Sequence, residues 1–149
     1  MGTIGVLGGS GKPHYRGTMI ARHTTPPTLA ELELIAADAL GTVPAELRRH
    51  VGDVVIRVED FPDEETEREM GLDSPFDLLG LYRGVALPRQ SILDVRTRPN
   101  MIFLYRRPIL DYWCEEGLDL AAVIRHVLIH EIGHHFGFSD ADMERIERE

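Results

Sequence analysis

Three features of the sequence predict an α+β fold. Residues 54–58, VVIRV, are β-branched and suit a strand. A second apolar run at 101–105, MIFLY, suits another. Residues 120–136 carry apolar side chains on nearly every side of a helix with a good N-terminal cap, so that helix belongs inside the domain. The order of elements, helix, strand, strands, helix, helix, fits a compact domain with a small mixed sheet packed on one buried helix. The 149 residues suffice for one core, and 43% apolar with 28% charged is ordinary globular composition.

Residues 1–27 are rich in Gly, Thr and Pro without a clear period, and are expected to form a flexible or peripheral arm, leaving 28–149 as the domain. The stretch GVLGGSGKPH superficially matches a phosphate-binding loop, but Val6 stands where the first glycine is needed and Pro13 where Ser or Thr is needed. Met19 is a candidate for an alternative start. Thr28 and Glu31 fit a capping box, and Leu29, Leu32, Ile35, Ala36, Ala39 and Leu40 follow at helical spacing up to a stop at Gly41. A short helix is expected over 44–50.

Residues 59–77 are acidic, carry Pro62, Gly71 and Pro75, and are expected to be a long solvated loop. Residues 78–87 suit a strand with glycine-marked bends, and 92–95 a shorter one. Pro108 suits the first turn of a helix ending near Gly117. Asp119 is placed to cap the long helix, with Leu118 and Val123 as a hydrophobic staple across the cap.

The net charge of −9 argues against nucleic acid and anionic membrane as partners. Arg96, Arg98, Arg106 and Arg107 are close in sequence but suit a solvated surface. The single cysteine, Cys114, excludes a disulfide within the chain and is expected to be buried beside Trp113. No apolar run reaches the ~20 residues that span a bilayer, and no basic segment precedes the short apolar N-terminal run. A soluble cytoplasmic protein is the simplest expectation.

The chemistry concentrates in HEIGHHFGFSD at 130–140. His130 and His134 are four apart, so on a helix one lies above the other and both can reach a single ion. Two imidazoles and a carboxylate with one open position suit Zn2+. Glu131 is offset around the helix, placed to accept a proton from water activated by the metal. Gly137 can end the helix in a left-handed turn and swing the chain back, which makes Asp140 the third ligand. The competing role for Asp140 is to cap a final helix over 141–149. Asp142 and Glu144 are weaker ligand alternatives.

His126 extends the stripe, but positions eight apart are separated by ~12 Å along the axis, so one ion cannot join His126 to His134. It is expected to hydrogen-bond behind the site or fill space. His135 points about 100° away from His134 and is a poor ligand.

These residues, with LGLYRGV at 79–85 and IFLYRRPIL at 102–110, resemble a family of small bacterial zincin-like metallopeptidases. The resemblance implies a minimal zinc-protease fold in which His130, His134 and Asp140 hold zinc and Glu131 is the general base. It implies a peptide or protein substrate, laid along an edge strand at 79–85 or 101–105 by strand addition. Nine residues follow Asp140 here, so the lower subdomain of larger zincins is not expected and Met143 is not expected to be a Met-turn. Tyr82 and Tyr105 are the candidates for stabilising an oxyanion. Two other readings are a zinc-binding interaction module with little turnover and a metal-dependent endoribonuclease, the latter disfavoured by Glu131 and by the net charge.

Overall fold

A computed structural model describes residues 2–7, 24–84 and 100–149, with side chains from 24 onward. The strands are β1 (Gly2–Leu7), β2 (Val54–Glu59), β3 (Leu78–Gly84) and β4 (Asn100–Tyr105). They form one mixed sheet in the order β1-β3-β4-β2. β1 and β4 both run antiparallel to β3, and β2 runs parallel to β4. β4 is therefore an interior strand, with Ile102 opposite Tyr82 on one side and Ile56 on the other. Neither strand considered for peptide addition is an edge of this sheet: β3 lies between β1 and β4, and β4 between β3 and β2.

The helices are α1 (Leu29–Thr42), α2 (Ala45–Arg48), α3 (Glu64–Met70), α4 (Arg106–Glu116), α5 (Leu120–His135) and α6 (Asp140–Arg148). The caps follow the sequence. Thr28 accepts from the Glu31 N–H, and Asp119 from the Ala122 N–H. Gly117, at φ +65°, closes α4. Gly41 does not stop α1, which runs on to Thr42 before Val43 turns extended.

α5 is the core element. Val123, Ile124, Val127, Leu128, Ile129 and Ile132 on it are fully buried. It packs against β1, β3, α1, α4 and α6. Gly80 lets β3 approach it: a Cβ there would stand 2.6 Å from Val127 Cγ1 and 3.1 Å from the Phe103 carbonyl oxygen. No helix among the described residues is long and apolar enough to cross a membrane.

Two further expectations need correction. The acidic stretch is not one loop. Asp63 accepts a 2.7 Å hydrogen bond from the Thr66 N–H and starts α3, Gly71 at φ +62° ends it, and Ser74 caps a 3₁₀ turn at Pro75–Asp77. Acid at the start, Arg68 in the last turn and glycine after it are the marks of a short helix, and the charge density hid them. Cys114 is exposed, because α4 turns Pro108 and Ile109 to the core and leaves the thiol on the outer side. Within the segment expected as a flexible or peripheral arm, Gly2–Leu7 is a strand at the edge of the sheet. Strand addition works through the backbone, so composition gave no sign of it. The strand expected at 92–95 lies outside the described residues, as do Arg96 and Arg98. Arg106 pairs with Asp60, and Arg107 lies over the Phe61 ring.

Candidate metal centre

α5 stacks His126, His130 and His134 in one stripe. Ring centroids are 4.1 Å apart for the first pair and 5.7 Å for the second. α6 returns past this stripe because of the turn between the helices. The Phe138 N–H bonds the Gly133 carbonyl, the Gly137 N–H bonds the His134 carbonyl, and Gly137 sits at φ +80°. That pair of bonds is a Schellman motif, which glycine alone adopts without strain. Gly133 then lets the helices meet, since a Cβ there would stand 2.7 Å from Met143 Cγ and closer still to its Sδ.

The cap of α6 is Ser139. Its hydroxyl accepts from the Asp142 N–H, and the Asp142 carboxylate accepts from the Ser139 N–H and hydroxyl. The capping role weighed for Asp140 thus falls to its neighbour. Asp142 is occupied in the cap, and Glu144 lies 3.6 Å from Arg148. Asp140 Oδ1 lies 3.5 Å from His134 Nε2, with its side chain 87% exposed. Two donors about 2.1 Å from a tetrahedral zinc stand about 3.4 Å apart. The His134–Asp140 spacing fits two ligands of one ion, but His130 does not join that pair: among the described residues the donor atoms of three side chains converge only at His126, His130 and Glu147.

A second group, not foreseen from sequence, lies one turn back. The buried Glu147 of α6 places Oε1 2.6 Å from His130 Nε2 and 2.9 Å from His126 Nδ1. These three side chains bring their donor atoms within 4.8 Å of one another, the spacing of a potential metal-ligand group. The 2.6 Å separation is shorter than two tetrahedral zinc ligands take and is that of a charge-assisted hydrogen bond. Here His126 has the hydrogen-bonding role considered for it. The signal for Glu147 was available: it is seven residues after Asp140, so a helical reading of the last segment puts both on one face.

Glu131 is fully buried, and its Oε1 accepts a 2.7 Å hydrogen bond from the Tyr82 N–H on β3. A carboxylate in an apolar interior is costly without such a donor. The His135 ring lies 4.1 Å from that of Tyr82 and beside Gly84, where a Cβ would stand 2.6 Å from Nε2. Burial pushes the His135 pKa down and the Tyr82 pKa up from their ordinary values. Tyr105 belongs to a separate small cluster with Leu78 and Leu81. Of the two tyrosines considered, only Tyr82 adjoins Glu131.

Fold and site together define a small α+β domain whose buried helix carries a histidine stripe faced by carboxylates from the next helix. A family model described as zincin-like metallopeptidase matches residues 51–149, and the chain belongs to that family. No curated protein matches the chain.

Proposed function

We propose that this chain is a zinc-dependent peptidase in which His130, His134 and Asp140 hold the metal and Glu131 is the general base. The observation that carries the reading is the Asp140–His134 spacing of 3.5 Å, at a residue released from capping by Ser139. Family membership supports the reaction class.

The donor set, two imidazoles and a carboxylate, is one that zinc accepts while keeping a position open. The side chain of His134 is 34% exposed against 12% for His130, so the group opens to solvent on the His134 and Asp140 side. Zinc, when bound, supplies Lewis acidity that makes a water easier to deprotonate. The other tasks fall to the chain. The Tyr82 N–H fixes Glu131 through Oε1, and Oε2 takes the proton and later returns it to the leaving amine. Glu147 orients His130: the carboxylate bonds Nε2, which fixes the ring and leaves Nδ1 as the nitrogen that would bind the metal in this orientation.

The test compares wild type with Glu131→Gln, which keeps an acceptor for the Tyr82 N–H. Both are expected to hold about one zinc, with peptide cleavage falling on the order of 10²-fold or more in the variant. Equal cleavage by the two proteins overturns the assignment. The full burial of Glu131 favours a second reading, a zinc-binding module without turnover. It predicts zinc in both proteins and no cleavage by either. RNA assayed in parallel decides the endoribonuclease reading.

A further inference from the structure

We propose that β1 is a built-in occupant of the edge of β3 on which a substrate peptide pairs, so that Gly2–Leu7 must leave β3 before substrate binds. The inference rests on the peptidase reading above.

An open strand edge presents unpaired N–H and C=O groups that an extended peptide can complete. β3 has two such sides. β4 takes one and β1 takes the other, antiparallel, with Gly2 opposite Gly84, Ile4 opposite Tyr82 and Val6 opposite Gly80. Tyr82 is the residue whose N–H holds Glu131. The midpoint of β1 therefore passes the strand position tied to the general base, and β1 also lies against α5, which carries that base. A peptide fitted to this edge runs its backbone past the catalytic carboxylate.

Three further observations mark β1 as an occupant rather than a fixed member of the sheet. The family match begins at residue 51, so β1 lies outside it, and among the described residues of the matched unit β3 is outermost on that side of the sheet. Among the described residues β1 pairs with β3 alone, and its register shifts between Val6 and Leu7. The sequence GTIGVL has no charge and two glycines, and a glycine-rich strand specifies its register weakly.

A tethered strand competes at an effective concentration of roughly millimolar. A peptide in solution then binds with its apparent affinity reduced by the open fraction.

The experiment uses the full-length, zinc-loaded chain carrying Glu131→Gln and reads binding of a fluorescent peptide with the sequence GTIGVL. Ile4→Pro removes a backbone donor from the centre of β1. It is expected to tighten peptide binding about 10-fold or more over the parent. In a second variant, Thr3→Cys and Arg83→Cys join register partners while Cys114→Ser removes the native thiol. Oxidation is expected to abolish peptide binding and reduction to restore it.

Equal binding by parent and Ile4→Pro, or by the oxidised and reduced lock, overturns the inference; so does failure of the lock to form on oxidation. If Ile4→Pro does not fold, the lock decides. The two readings separate cleanly. Binding that responds as expected, while Ile4→Pro with Glu131 intact cleaves no peptide, keeps the strand inference and removes the peptidase. Glu131-dependent cleavage with binding indifferent to β1 does the reverse.

Discussion

Gly133→Ala tests whether the closeness of α6 to α5 sets the metal centre. Alanine in place of glycine within a helix gains about 1 kcal/mol. Here the added methyl falls 2.7 Å from Met143 Cγ, and Met143 is fully buried. Overpacking of that kind costs about 1–3 kcal/mol. The net expectation is a loss of about 0–2 kcal/mol in the metal-free protein, read by urea denaturation. The displacement also has a direction that matters for function. Asp140 lies three residues before Met143 on the same helix, so relieving Met143 moves Asp140 against His134. Zinc affinity, measured by competition with a chromogenic chelator, is expected to fall about 10-fold or more, comparable to loss of a residue that orients a ligand. Met143→Ala in the Gly133→Ala background makes room for the methyl. The two substitutions should couple by about 0.5–3 kcal/mol. A Gly133→Ala protein that is about 1 kcal/mol more stable, with unchanged zinc affinity, would refute this account of the helix contact.

Asp140→Ala separates ligation from folding: with the side chain 87% exposed, metal-free stability should change by less than about 1 kcal/mol while bound zinc is lost on dialysis, and zinc retained at wild-type affinity moves the third ligand elsewhere. Glu147→Gln should weaken zinc binding about 10–100-fold by releasing the orientation of His130; tighter binding instead would mean that Glu147 competes with the metal for that ring. Asp63→Ala should cost about 1 kcal/mol at neutral pH through the lost cap of α3. The Thr66 N–H and hydroxyl hold the Asp63 carboxyl below its ordinary range, so the unfolded chain binds the proton first as pH falls. The cap therefore stabilises fully above pH ~4 and is lost below it, and wild type and variant should converge in acid unfolding but not near neutrality.

The parts of the fold that were legible in the sequence are those where one local signal decides. Asp119, Gly117 and Gly137 set chain direction by cap and left-handed turn, and the β-branched run of β2 has no competing period. Pairing across the sheet was not legible. That 101–105 sits between two strands while 78–84 borders Gly2–Leu7 depends on contacts between segments far apart in the chain. Backbone pairing leaves little trace in composition. The acidic segment failed for another reason, since helix signals at Asp63, Arg68 and Gly71 were outweighed by a charge density ordinarily read as solvation. At the site, HEIGHH located His130, Glu131 and His134 on one buried helix, but the sequence could not show what each side chain faces. Tyr82 reaches Glu131 across 49 residues, and Glu147 reaches His130 across 17.

The histidine stripe on α5 would be a burden to a purely structural helix, because every buried imidazole nitrogen needs a partner. α6 meets that need with two carboxylates on a single face. At the solvent end Asp140 stands off His134 at a ligand-pair distance, and at the inner end Glu147 closes onto His126 and His130 at hydrogen-bond distance. The seven-residue interval between the carboxylates thus divides the three histidines into one, His134, that faces outward beside Asp140 and two, His126 and His130, that are held inside by Glu147. Divided in this way, the stripe gives the middle histidine a fixed orientation and leaves the outer pair accessible. A metal ligand set at a domain surface needs both properties: rigidity from the buried end and an approach for solvent and substrate from the other.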